Sequence, residues 1–224
     1  MDPVERAKLV YQRLLSFYGY PEWRNPLPPL DELVSTILSQ NTNDTNRDRA
    51  YQSLRRRFPA WEGVRDAPEA DVIDAIRTAG LANQKGPRIQ HILREISVLR
   101  GELSLDFLQE LPPEEVRDWL AQFKGVGPKT TAIVMLFSLG MPAFPVDTHI
   151  YRVSGRIGLR PEQMTVESAH GHLAGLFPPE SYYAAHLNLI RLGREICQAR
   201  RPNCFACPLQ DLCDYYALQV AGSS

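Results

Sequence analysis

A chain of 224 residues with 44% apolar residues can bury a substantial core, as one large domain or two small ones. No apolar run approaches the ~20 residues of a membrane span, so no membrane partner is expected, and the charged start Met1-Asp2-Pro3-Val4-Glu5-Arg6 lacks a signal-peptide core, which points to the cytoplasm. The net charge of −1 does not by itself announce a nucleic-acid partner.

In chain order, Val4, Leu9, Val10, Leu14, Leu15 and Phe17 fall close to helical spacing, which predicts a first helix over residues 4–19. Pro21, Pro26, Pro28 and Pro29 mark an extended connection. Asp31 opens a second helix with Leu33, Val34, Ile37 and Leu38 on one side. It runs into Ser39-Gln40-Asn41-Thr42-Asn43-Asp44-Thr45-Asn46, which holds no apolar residue and reads either as a solvated loop or as a polar ridge facing a ligand. Asp44 is placed to cap the next helix, through Arg57. Further helices are expected over 69–78, ended by Gly80, and over 85–99, with Leu81-Ala82-Asn83-Gln84 as the loop between them. An apolar residue in a loop, such as Leu81, ordinarily folds back into the core. Pro112 and Pro113 open a helix through Phe123, and helices over 148–157, 166–176 and 181–197 complete the set. No segment shows sustained strand alternation, so the fold class is all-α.

Gly125-Val126-Gly127-Pro128-Lys129 is the most informative stretch. Two glycines allow a tight turn, Pro128 suits the first position of a helix, and the apolar run 132–139 reads as a buried helix ended by Gly140 and Pro142. The open N–H groups at such a helix start bind phosphate. Lys129 lies in the first turn, where the helix dipole disfavours a cation and favours a neutral amine. An ordinary turn with a solvated lysine has the same short pattern. Between Ala121 and Arg160, Lys124, Lys129, Arg152, Arg156 and Arg160 face only Asp147, a local positive excess of the kind a polyanion would meet.

Cys197, Cys204, Cys207 and Cys213 are all the cysteines in the chain, spaced C-x6-C-x2-C-x5-C. In a cytosolic protein such clustering argues for metal rather than disulfides, and spacing alone leaves tetrahedral zinc and an iron–sulfur cluster both open. Arg200 and Arg201 in the first loop are either a solvated pair or phosphate contacts.

With the hairpin, the Val146-Asp147-Thr148-His149-Ile150 segment and the cysteine tail in view, the chain resembles endonuclease III, a DNA glycosylase of the helix–hairpin–helix superfamily. The resemblance spans the first helix to Cys213. It implies two helical domains flanking a DNA-binding cleft, one continuous over 25–141 and the other combining 1–24 with 142–224. It implies a 4Fe-4S cluster on the four cysteines rather than zinc. It makes Lys129 the nucleophile that attacks the sugar and Asp147 its electrostatic partner, with Thr148 and His149 in support. The expected reaction is removal of damaged pyrimidines, oxidised ones first, from double-stranded DNA, followed by β-elimination at the abasic site. The enzyme is expected to be monomeric, and nucleoid-associated if bacterial. DNA contacts are expected from Gln40, Asn41, Leu81, Lys124, Gly125, Val126, Gly127, Arg200 and Arg201, with Asn41 and Leu81 filling the gap left by an extruded nucleotide. Phe123 and Lys124 stand where well-known members carry Leu and Pro, Asn41 replaces a Gln, and Ala82 replaces a Tyr; these departures bear on damage preference.

Two alternatives arise from the same residues. An adenine glycosylase would need a Glu where Ser35 stands and a further C-terminal domain, and a mismatch glycosylase is a close variant. A non-catalytic DNA-binding or redox-sensing protein would use the fold and cluster alone, but would have no need of both Lys129 and Asp147.

Overall fold

The structure, a computed structural model, describes residues 1–22 and 25–221. Among the described residues there are α-helices and short 3-10 turns and no β-strand. No described helix is long and apolar enough to cross a membrane. Two compact units emerge, residues 26–141 and residues 1–25 with 142–224.

In the continuous unit, α2 (Pro29–Ser39) packs against α8 (Pro128–Phe137) and α3 (Asp44–Arg57), and α6 (Ala82–Arg100) against α4 (Trp61–Asp66) and α5 (Glu69–Ala75). The apolar faces of α2 and α8, including Leu33, Val34, Ile37, Val134 and Met135, are almost wholly buried. Gly86 permits the close approach of α6 to α5, since a Cβ there would meet Ile73 Cγ1 at 2.9 Å. A 3-10 turn (Arg77–Ala79) precedes α6, and α7 (Pro113–Ala121) leads into the hairpin.

Several helix ends differ from the sequence reading, for local reasons. α2 starts at Pro29 because proline fits a first helical turn. Asn43, not Asp44, caps α3, its side chain accepting from the Asn46 N–H at 2.9 Å. α6 begins at Ala82 because the Leu81 carbonyl accepts from both Gln84 N and Lys85 N, at 2.9 and 3.0 Å. α4 is only six residues long, too short to show a period.

The other unit joins α1 (Pro3–Tyr18) to α9 (Thr148–Arg156), α10 (Val166–Leu176), α11 (Tyr182–Glu195) and α12 (Asp214–Ala221). Asp2 caps α1, accepting from Val4 N and Glu5 N. The two ends of the chain meet through arginines. Arg6 donates to the Ile157 carbonyl at 2.9 Å and pairs with Asp214 at 2.8 Å, and Arg13 pairs with Asp211. Gly158 lies beneath the first pair with φ +69°, where a Cβ would collide with both Arg6 and Asp214. Gly158→Ala should therefore lower the unfolding free energy by at least about 1 kcal/mol, read as a lower denaturant midpoint at unchanged slope. An unchanged midpoint would contradict this account of the joint.

Candidate nucleic-acid interface

The hairpin belongs to the continuous unit. Gly125 has φ +91°, and a Cβ there would meet Arg88 Cδ and Nε at 2.6 Å. Lys124, Gly125, Gly127 and Lys129 are exposed. Val126 is not: its side chain is 4% exposed, and its N–H donates to the Phe123 carbonyl at 3.0 Å. Val126 thus anchors the turn in the core. Phe123 is likewise buried and stacks edge-on with Trp119.

Gln40, expected to touch DNA, reaches the hairpin. Its Nε2 donates to the Gly125 carbonyl at 3.3 Å, and its Oε1 accepts from Arg88 at 2.8 Å. The end of α2, the middle of α6 and the hairpin are thereby one hydrogen-bonded unit. Arg88 was invisible in the sequence, because it belongs to no motif and only the fold brings it to Gln40.

Asn41 and Leu81 share an unusual backbone. Their φ angles are +54° and +50°, and among the described residues the one other non-glycine residue with positive φ is Arg201, at +53°. This left-handed conformation costs an L-residue about 1–2 kcal/mol. Such outliers persist where the surroundings over-determine them, and they cluster at functional sites. All three are residues the sequence marks for DNA contact. Leu81 does not fold back into the core; it is 47% exposed.

Beneath them lies Lys85, 2% exposed. Its Nζ donates to the carbonyls of Leu38 and Ala79, both at 2.8 Å. Burial, with Arg88 adding to it, pushes this amine down to about 8. A depressed lysine pKa is a common mark of a nucleophile, but an amine enclosed and bonded to two carbonyls has no access to a sugar. Lys129, in the first turn of α8, is exposed.

In the other unit, Asp147 is the N-cap of α9, its Oδ1 accepting from Ile150 N at 2.8 Å. A helix N-terminus suits a carboxylate, and the second oxygen keeps its acceptor capacity. The preceding backbone is pinned by two histidines: His186 Nδ1 lies 2.9 Å from the Pro145 carbonyl, and His170 Nδ1 3.3 Å from Val146 N. His149 Nδ1 lies 3.1 Å from the Arg152 guanidinium, which also donates to the Gly193 and Cys197 carbonyls. His149 is a packing partner between α9 and α11.

The local positive excess reads differently in the structure. Besides Arg152, Arg156 donates to the Gln198 and Ala199 carbonyls, and Arg160 to those of Tyr151, Pro161 and Glu162. Three of the five cations in that stretch therefore bind the chain's own backbone. Lys124 and Lys129 remain as exposed ones.

Cys197, Cys204, Cys207 and Cys213 line one small cavity of about 20 Å³, together with Ile196, Pro202 and Tyr215. Burial pushes the Cys207 thiol up to about 11, and the crowding of the other three cysteines adds to the rise. Thiolates are the ligands, so a cationic group bound here must displace protons. Among the described residues no three His, Cys, Asp or Glu side chains close around a single ion. Four thiols lining one cavity are a donor set that suits either tetrahedral zinc or an iron–sulfur cluster. Arg200 and Arg201, in the first inter-cysteine loop, are exposed.

The profile of the HhH-GPD superfamily base excision DNA repair proteins matches residues 34–179. An Arabidopsis thaliana protein named as a candidate DNA glycosylase is 38% identical over 78% of this chain. The chain spans 59% of that protein's length, and 13% and 9% of two longer plant relatives. Endonuclease III of Sulfolobus acidocaldarius is 31% identical over 95% of this chain and 92% of its own length. Among solved structures, a trapped endonuclease III–DNA covalent intermediate superposes with a TM-score of 0.84 at 25% identity, covering 98% of this chain and 100% of that one. The resemblance to endonuclease III read from the hairpin and the cysteines is borne out: the chain belongs to the HhH-GPD superfamily of base excision DNA repair proteins.

Proposed function

We propose that the chain is a bifunctional DNA glycosylase and abasic-site lyase that acts as a monomer on damaged double-stranded DNA, with oxidised pyrimidines as its substrates. The observation that carries this reading is an exposed primary amine, Lys129, in the first turn of a helix that comes directly after a glycine hairpin. The damaged nucleotide first leaves the stack, at a cost of a few kcal/mol that damage reduces. The Lys129 amine then attacks C1′ of the sugar. The C1′–base bond breaks and the base departs with a proton; the C1′–O4′ bond then opens, its oxygen taking the second amine proton, and the amine is left as an imine to C1′. Loss of a C2′ proton and cleavage of the C3′–O bond complete the β-elimination. Asp147 is the charge that steadies the cationic sugar and assists these proton transfers. Exposed hairpin groups at Lys124, Gly125 and Gly127 hold phosphate without reading sequence, and Arg200 and Arg201 add contacts of the same kind. Asn41 and Leu81 enter the space of the extruded nucleotide.

The four lysines of the chain support the choice of nucleophile. Lys85 is enclosed, Lys8 lies in α1, and Lys124 precedes the turn, whereas Lys129 opens the helix. The adenine-glycosylase alternative lacks its acid, since Ser35 is a buried hydroxyl in α2. In this reading Cys197, Cys204, Cys207 and Cys213 hold a 4Fe-4S cluster, which supplies structure to the tail rather than chemistry to the sugar.

Two outcomes test the reading. Borohydride should trap wild-type protein covalently on abasic DNA, and Lys129→Gln should lose both trapping and strand cleavage while still binding. Asp147→Asn should keep the α9 cap, because Asn caps as well as Asp, yet release base about 10²-fold more slowly. Trapping of Lys129→Gln at the wild-type level would refute the assignment. Separately, protein prepared without oxygen should be yellow-brown and contain iron, and Cys207→Ala should be colourless and poorly soluble. Zinc without iron in the wild type would contradict the cluster.

A further inference from the structure

Lys85 is the most deeply buried cation of the continuous unit, and the reaction proposed above gives it no task. Its position suggests one. A helical side chain leans toward the N-terminus of its own helix. From the first turns of α6, Lys85 therefore reaches back over the residues that precede the helix. There it meets two carbonyls that helix geometry leaves without an intrahelical partner. Leu38 is the second-last residue of α2, and Ala79 ends the 3-10 turn. The ammonium joins them, with 2.8 Å to each.

Each of these carbonyls lies just upstream of a residue in left-handed backbone. Asn41 comes three residues after Leu38, and Leu81 comes two residues after Ala79. Both have positive φ, and both are at least partly exposed. Leu81 has no side-chain cap to fix it, but its carbonyl accepts from Lys85 N at 3.0 Å. One residue thus grips the Leu81 turn twice, by backbone and by side chain, and grips the end of α2 with the same side chain. An ammonium has three N–H donors and so can serve two acceptors that a thioether or methyl group cannot.

We propose that Lys85 is a positioning residue, which clamps the end of α2 to the turn before α6 and so sets Asn41 and Leu81 at the separation at which they enter a duplex together. The proposal rests on the reading of those two residues as a wedge. Lys85 touches neither DNA nor the reacting sugar in this scheme. Its effect is confined to double-stranded substrate, where a gap has to be filled.

The experiment compares wild type, Lys85→Met, Lys85→Gln, Leu81→Ala and the double variant Lys85→Met with Leu81→Ala, after circular dichroism has confirmed helical content. Each is assayed for cleavage of abasic DNA in single and double strands, and for the fluorescence of 2-aminopurine placed opposite the abasic site. Lys85→Met should cleave single strands within about twofold of wild type, lose about tenfold on duplex and lose the fluorescence change, as Leu81→Ala does. The double variant should be little worse than either single one, because both act through the same wedge. Lys85→Gln keeps two N–H donors on a shorter chain and should retain more duplex activity than Lys85→Met. Equal losses on single and double strands, additive losses in the double variant, or unchanged duplex activity would overturn the clamp. If Lys85→Met does not fold, Lys85→Gln is read by its own measure: its duplex loss, smaller than about tenfold, should still exceed its single-strand loss, and equal losses on the two would overturn the clamp. A wild-type protein inactive on every abasic DNA would instead overturn the lyase reading, and the clamp with it.

Discussion

The end of α2 is tied down twice, and the exposed parts of the continuous unit depend on those two ties. In one, the Gln40 amide donates to the carbonyl of Gly125, a residue at φ +91°, while Arg88 holds the other side of that amide. In the other, Lys85 bonds the Leu38 carbonyl to that of Ala79. Leaving a buried carbonyl unpaired costs about 1–3 kcal/mol. The α2–α6 seam is therefore expensive to open. Asn41, Leu81 and the hairpin leading to Lys129 all spring from it, so mobile-looking loop residues are fixed from beneath by buried polar contacts.

The second unit uses charge in a complementary way. Arg152, Arg156 and Arg160 donate chiefly to backbone carbonyls of α9, α11 and the cysteine loop rather than pointing at a polyanion. Arginine suits this task because its planar fork reaches several acceptors at once. Asp147 is fixed by capping α9, and the backbone before it by His170 and His186. The carboxylate is thereby held by the start of a helix, and among the described residues no salt bridge engages it.

Much of this was legible in the sequence. The helical class came from spacing, and the family from two motifs that are weak or ambiguous singly and specific together. Helix ends were less legible, since Asn43 and Asp44 are equally good caps and only the backbone decides which is used. The left-handed conformations of Asn41 and Leu81 left no mark, because neither is glycine. Gln40 looked like a contact residue, and the fold shows it bonded to the hairpin. Lys85 carried a faint signal: it stands one turn before Ile89 on the buried face of α6, where an aliphatic residue would be expected. Local charge misled for a physical reason, because sequence cannot distinguish an arginine bonded to its own backbone from one presented to a partner.

In the proposed reaction one particular amine forms the covalent bond to DNA. Its most direct test is peptide mapping by mass spectrometry of the wild-type protein after borohydride reduction on abasic DNA and nuclease digestion. The added sugar mass is expected on the peptide bearing Lys129, on that side chain alone. The same mass on Lys124, Lys85 or Lys8, with Lys129 unmodified, would contradict it.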